Sequence, residues 1–204
     1  MNCNRFFSAV VGVTCLVGAM TAQANLIVNG SFEVPDLGSG WGLYSTISGW
    51  TTPEGGYPIE IGAGSVYGVT GYDGDQVMEM DSTGNVIVDQ IMASTVGSYT
   101  LSFLYAQRAG VSPSSGSFDV SWNGSLINSF APNSTAMALY STTVNVLAGN
   151  NILELRGTGA QDTYGALVDN FKLENKHVPD GGTTLALLGV GVLGLAALRR
   201  KLSL

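Results

Sequence analysis

Carboxylates dominate the reactive groups between Asn25 and Gly182. All 15 acidic residues of the chain lie there, whereas only Arg108, Arg156, Lys172 and Lys176 of its 8 basic ones do, which leaves that stretch a formal charge of −11. The single histidine, His177, stands far in sequence from any serine and aspartate it could serve, and both cysteines, Cys3 and Cys15, precede the stretch. A serine triad, a histidine-based zinc site and thiol chemistry are therefore not available. A carboxylate pair of the kind glycosidases use, such as Glu60 with Glu79, is compatible with the composition. Carboxylates on alternating strands are expected to face solvent, however, and the sequence predicts a protein that is not an enzyme. So negative a surface repels nucleic acid, and its many oxygen donors suit a hard cation such as calcium. Asp73-Gly74-Asp75 is a fragment of a calcium loop without the following ligands or distal glutamate of an EF-hand, and reads as a turn.

The other chemistry on offer is recognition. A sugar ring presents C–H patches to an aromatic face and hydroxyls to hydrogen-bonding groups, so a sugar site needs rings and polar side chains around a groove. Trp41, Tyr44, Trp50, Tyr57, Tyr67 and Tyr72 crowd one loop-rich stretch. Most such rings fill the core of a sandwich that has no disulfide, and Trp50 after Ser48-Gly49 is expected inside. Trp41, between Gly40 and Gly42, is the best surface candidate. Tyr44 is a second, and Arg108 just beyond a strand supplies a fork of donors.

The elements that would position these groups are strands. Short runs rich in Val, Ile, Tyr, Phe and Thr alternate with Gly, Asn, Ser and Pro turns, and nothing of helical period lies between the two ends of the chain. Strands are expected at Asn25–Val28, Tyr57–Ile61, Ser65–Val69, Gln76–Met80, Val86–Met92, Ser98–Gln107, Ser117–Trp122, Leu126–Phe130, Ala138–Leu147, Asn151–Arg156 and Gly165–Leu173. Tyr99, Leu101, Phe103 and Tyr105 alternate with smaller or polar residues, as do Phe118, Val120 and Trp122, so each set lines one buried face. Asn123-Gly124 is the strongest hairpin signal, because both residues accept positive φ. Residues 25–175 are enough for one domain with a sizeable core. The fold class expected is all-β, an antiparallel two-sheet sandwich of jelly-roll type.

The two ends are addresses. Arg5, the apolar run Phe6 to Met20, and Ala22 and Ala24 describe a signal peptide over 1–24, cut by signal peptidase before Asn25. At the other end a linker and motif (176–182) contain Val178, Pro179, Asp180, Gly181 and Gly182; then come 16 uncharged residues, Thr183 to Leu198, and a basic tail over 199–204. At about 1.5 Å per residue the 183–198 span reaches roughly 24 Å, short of a bilayer core of about 30 Å, so a transmembrane helix there inserts but fits poorly. Its basic end is expected to stay cytoplasmic, leaving the domain outside. This tripartite tail resembles the PEP-CTERM sorting signal, in the form whose motif reads Val-Pro-Asp-Gly-Gly in place of Pro-Glu-Pro. The resemblance implies recognition by an exosortase, transient residence in the inner membrane, and release into the cell envelope or extracellular polymer. Retention as a permanent C-terminal anchor is the alternative. The sequons at Asn29, Asn123 and Asn133 read as turn or loop residues.

Four blocks in order carry a second resemblance: Asn25-Leu26-Ile27-Val28-Asn29-Gly30-Ser31-Phe32-Glu33, Gly74-Asp75-Gln76-Val77-Met78-Glu79-Met80-Asp81, Tyr99-Thr100-Leu101-Ser102-Phe103 and Leu167-Val168-Asp169-Asn170-Phe171-Lys172-Leu173. Together they resemble the galactose-binding-like jelly rolls, especially the domain-of-unknown-function 642 family and related carbohydrate-binding modules. The resemblance implies a sandwich that binds polysaccharide, and a structural calcium ion tying the first strand to the last. On this chain the matching metal positions are Glu33 and Asp169, with a carbonyl of the 29–31 turn as a third donor. A solvated loop acid and a strand-edge turn former are the plainer roles for the same two residues. The expected function is an exported cell-envelope or extracellular-matrix protein whose β-sandwich binds exopolysaccharide; the alternative is a non-catalytic structural or adhesion protein of the matrix that works through protein contacts.

Overall fold

The computed structural model describes residues 25–176. The signal peptide (1–24), the sorting motif, the apolar span (183–198) and the basic tail lie outside the described residues. Among the described residues no helix is long and apolar enough to cross a membrane.

Twelve strands form two antiparallel sheets of six. In chain order they are β1 (Trp41–Tyr44), β2 (Thr46–Ile47), β3 (Trp50–Thr51), β4 (Ile59–Ala63), β5 (Gln76–Glu79), β6 (Ile87–Ala93), β7 (Gly97–Gln107), β8 (Phe118–Trp122), β9 (Ser125–Phe130), β10 (Ala138–Val146), β11 (Asn150–Gly157) and β12 (Ala166–Asn175). The first sheet runs β1-β4-β5-β12-β7-β10 and the second β2-β3-β6-β11-β8-β9. From β5 onward the chain passes repeatedly from one sheet to the other, the connectivity of a jelly roll. The β8–β9 hairpin turns at Asn123-Gly124, with φ of +51° and +75° closing the Trp122–Ser125 pair.

The alternation expected from the sequence packs the interior. Tyr99, Leu101 and Phe103 from one sheet and Phe118, Val120 and Trp122 from the other are buried in one core. Phe103 lies at its centre, stacked on Phe171 at 4.7 Å and meeting Phe130 edge-on at 5.3 Å. Val168, Met78 and Ala166 point into that core, while their neighbours Leu167 and Val77 turn to the opposite side of the first sheet. There they form a smaller apolar cluster with Tyr67, Val69 and Ala106. The first sheet is thus covered on its outer face as well, by the segment that follows β4.

Three expectations about elements are corrected. Asn25–Val28 is not a strand, because the Asn25 side chain stands in for a ladder: its Nδ2 donates to the Phe171 carbonyl and its Oδ1 accepts from Leu173 N–H. Ser65–Val69 is replaced by a single helical turn, α1 (Gly64–Tyr67), which Gly68 ends at φ +69°. The Trp41–Thr51 region, read as loop, contains the short strands β1, β2 and β3.

At Asn170, φ +50°, a bulge in β12 breaks the register between Asp169 and Lys172. Phe171 N–H donates to the Gly30 carbonyl there, and Gly30 is obligatory because a Cβ would run into the Phe171 carbonyl. The beginning of the domain is in this way laid along its last strand.

Candidate binding cleft

Directly opposite residues of neighbouring strands share a face. Leu43, Glu60, Glu79 and Leu167 form one such row across β1, β4, β5 and β12, on the outer side of the first sheet. One row away, Trp41 faces Gly62. A Cβ on Gly62 would come within 2.6 Å of Trp41 Cβ and 2.8 Å of the Tyr67 hydroxyl, so glycine makes room here for the close approach of Trp41 and of the Tyr67 hydroxyl. Tyr67, carried by α1, leans back and donates its hydroxyl to Glu60 Oε1 at 3.1 Å.

Arg108, the residue after β7, closes the row from the other side. Its Nη1 donates to both oxygens of Glu79, at 2.8 and 2.6 Å. Its guanidinium lies 5.1 Å from the centre of the Tyr67 ring and 4.7 Å from that of Tyr164. Gly165 N–H donates to Glu79 Oε1 at 2.7 Å. Trp41, Leu43, Glu60, Arg108, Thr83 and Tyr164 line a cavity of about 350 Å³. A second cavity of about 500 Å³ shares Tyr67, Arg108 and Tyr164 with it and runs along Ala109 to Ser112.

The two glutamates do not face solvent as expected. Glu79 is wholly buried and Glu60 nearly so, because α1, Arg108 and Tyr164 cover this part of the sheet. Burial pushes Glu79 up to about 7, against the pull of Arg108 and the Gly165 amide and with the help of Glu60. Burial also raises Glu60, whose hydrogen bonds with Tyr67 and Glu79 work in the opposite direction. Tyr67 is driven well above the usual phenol range by burial and then by the charges of the two acids. Glu60 and Glu79 stand directly opposite on β4 and β5, Glu60 held by the Tyr67 hydroxyl and Glu79 by Arg108 and the Gly165 amide. With one arginine against two buried acids, a proton shared by the pair resolves the excess charge.

Of the residues picked out as sugar-binding, Trp41 and Arg108 come together on this cleft. Trp41 is 56% exposed, an unusual state for so large a ring. Tyr44 is not there: it projects from the opposite face of β1, partly buried against the main core with its ring over Gly42. Trp50 is buried as expected, its indole N–H donating to the Asn29 carbonyl at 3.1 Å. Tyr164, 42% exposed, was not singled out in the sequence. Its signal was the Asp162-Thr163-Tyr164-Gly165 turn immediately before the closing strand.

The cation candidates are held by one turn, residues 73–76. Glu33 Oε1 accepts from the Asp75 and Gln76 amides at 2.9 Å each. Asp169 Oδ2 accepts from Asp73 N–H and its Oδ1 from Asn170 N–H, both at 2.6 Å. The Asp73 carboxylate takes the Ser31 hydroxyl at 2.8 Å. Asp73-Gly74-Asp75 is accordingly a turn, with Gly74 at φ +69° beneath Glu33. Asp169 is fully buried and pushed up to about 8, chiefly by burial, with Asp73 and Glu33 adding repulsion that its amide bonds offset in part. Among the described residues no three acidic, histidine or cysteine side chains form a metal cage by themselves. A cation held by Glu33 and Asp169 needs backbone carbonyls as well, and an all-oxygen set of that kind fits calcium.

Comparison with known proteins bears first on the address at the end of the chain. Residues 177–202 match the VPDSG-CTERM motif, so the chain carries a C-terminal sorting motif, the mark of an exported protein. Over 150 residues the chain is 35% identical to the multifunctional-autoprocessing repeats-in-toxin of Vibrio cholerae serotype O1, covering 72% of this chain. It is 34% identical over 154 residues to the protein of the same name from Vibrio vulnificus, covering 74%. The chain spans about 3% of the length of these curated relatives. Among solved structures it is similar to the family 35 carbohydrate-binding module of Paenibacillus barcinonensis, with 19% identity and a TM-score of 0.43 over 67% of this chain and 98% of that one. It is also similar to the module TmCBM61 in complex with β-1,4-galactotriose, with 13% identity and a TM-score of 0.48 over 75% and 99% of the two chains.

Proposed function

We propose that this is an exported, non-catalytic protein that holds polysaccharide in the cleft between Trp41 and Tyr164. The observation that carries the reading is the pairing of two exposed rings with a polar floor. Trp41 offers a broad apolar face, Tyr164 a second, and Arg108 and Glu60 lie between them with hydrogen-bonding capacity. Stacking on the rings would supply affinity, and the arginine fork and the acid pair would select hydroxyl geometry. Signal peptidase removes residues 1–24 and the 183–198 span holds the chain in the inner membrane until an exosortase acts at Val178-Pro179-Asp180-Gly181-Gly182. The domain then remains in the cell envelope or the extracellular polymer. Calcium at Glu33 and Asp169 would neutralise a costly buried carboxylate and pin the start of the domain to β12.

Affinity electrophoresis of the full chain through gels containing galactan, mannan, xylan or β-1,3-glucan tests the binding claim. Retardation by at least one polymer, lost in Trp41→Ala, is expected. Free migration in all four, with the chain folded, would favour a matrix protein that works through protein contacts.

A further inference from the structure

Tyr57, Asn85, Arg156 and Gln161 line another cavity, of about 330 Å³. Each of three of these residues is close in sequence to a residue of the Trp41 cleft. Tyr57 precedes Glu60, Asn85 follows Thr83, and Gln161 precedes Tyr164. No spacing exceeds three residues, and at about 3.6 Å per residue at most the paired backbone positions are within roughly 11 Å of each other. One turn, closed by the Asp81–Asn85 bridge, serves both: its exposed Thr83 lines the Trp41 cleft on the first sheet, and its Asn85 lines the second cavity, which Ile87 and Arg156 place on the outer side of the second sheet.

The two cavities are built alike. Tyr57 packs against the backbone of Gly84, where a Cβ would collide with the ring, yet the side chain is 42% exposed. Trp41 likewise stands beside a glycine, Gly62, directly opposite on the neighbouring strand, and is 56% exposed. The polar groups also correspond. Arg156 spends Nε and Nη2 on Glu154, which leaves Nη1 for a ligand. Gln161 is exposed. Asn85 donates from Nδ2 to the Gly159 carbonyl at 2.8 Å, while its Oδ1 is buried without a partner.

We propose that this cavity is a second sugar subsite, and that the ligand is an internal stretch of a linear polysaccharide crossing Thr83 rather than a single sugar or a chain end. The inference rests on the reading of the Trp41 cleft as a sugar site. One exposed ring binds a sugar weakly; two platforms on one polymer bind as a linked pair, and the gain appears only when the ligand spans both.

The test is isothermal titration of the full chain with the dimer through the hexamer of β-1,4-galactan, β-1,4-mannan, β-1,4-xylan and β-1,3-glucan. The wild type is expected to gain about tenfold or more in affinity between the dimer and the hexamer of the series it binds. Tyr57→Ala is expected to remove that gain and leave dimer affinity unchanged. Arg156→Ala, an exposed site whose change leaves the fold intact, should lower hexamer affinity severalfold. If both variants bind the hexamer as the wild type does while Trp41→Ala loses it, the second subsite is refuted and the Trp41 cleft stands. If Trp41→Ala binds normally and Tyr57→Ala does not, the Trp41 reading fails and with it a ligand that spans both. If none of the series binds, both fall together.

Discussion

Replacing Glu79 by glutamine should stabilise the protein at pH 8 and change little at pH 5. A carboxylate clamped by Arg108 at 2.6 and 2.8 Å looks like a pair whose loss would cost about 3–5 kcal/mol. Glu79 is wholly buried, however, and its direct neighbour across the strands is another acid, Glu60. Burial places its titration near 7 in the fold, against an ordinary carboxylate value of 4.5. The folded state then binds the proton more tightly than the unfolded chain does. Stability from this group is complete below pH 4.5 and is lost as the pH rises through 7. At about 1.4 kcal/mol per pH unit the loss is on the order of 3 kcal/mol. Glutamine resembles the protonated acid in carrying no charge: its single oxygen keeps the bonds from Arg108 Nη1 and Gly165 N–H at the Oε1 position, it gives up the second contact with Arg108, and it does not ionise. Chemical and thermal unfolding of wild type and Glu79→Gln between pH 5 and 8 should show curves that coincide at the acid end. At pH 8 the variant should lead by up to about 3 kcal/mol, several degrees in melting temperature. A variant less stable than wild type at pH 8, with a gap that does not vary with pH, would refute the shared proton and restore the simple ion pair.

Other outcomes follow from single contacts. Trp41→Ala should leave the melting temperature within a degree or two, since the ring is mostly exposed, while weakening polysaccharide binding about tenfold or more by titration. Adding calcium at about one hundred times its Kd to chelator-treated protein should raise stability by roughly 2.7 kcal/mol; Asp169→Asn should abolish that response, and no calcorimetric or optical shift in the wild type would remove calcium from the account. Phe103→Ala, at the centre of the aromatic core, should cost about 3–5 kcal/mol by denaturant unfolding. Gly30→Ala should destabilise by a few kcal/mol, because its methyl meets the Phe171 carbonyl at the β12 bulge; a neutral result would mean that the first segment does not lie along that strand.

The sandwich was legible because its long strands obey period two. In β8, and in β7 from Tyr99 to Phe103, the buried residues are the alternate apolar ones, and Asn123-Gly124 turns where two residues tolerant of positive φ stand together. What misled the reading at Asn25–Val28 was an apolar run whose first residue, Asn25, satisfies β12 with its side chain instead of its backbone. Ser65–Val69 has strand-forming residues, yet Gly64 and Gly68 bound a stretch too short to pair and it curls into one helical turn. The cleft was harder to see. Trp41 stood out between two glycines, but the glycine opposite it, Gly62, is on the neighbouring strand and becomes visible only with the β1–β4 register. Tyr44 failed because alternation from Trp41 puts it on the other face, a consequence of a strand the sequence did not announce. Glu60 and Glu79 are separated by 19 positions along the chain, and only the β4–β5 pairing makes them neighbours under Arg108.

The central claim is that the exposed rings of the first sheet hold a sugar polymer. Titration of wild type and Trp41→Ala with oligosaccharides of galactan, mannan, xylan and β-1,3-glucan, alongside melting curves of both proteins, tests it most directly. The account predicts that the wild type binds at least one series and that the variant loses about tenfold or more in affinity with its melting temperature unchanged. Equal affinity in the two proteins, or no binding by a folded wild type, would contradict it.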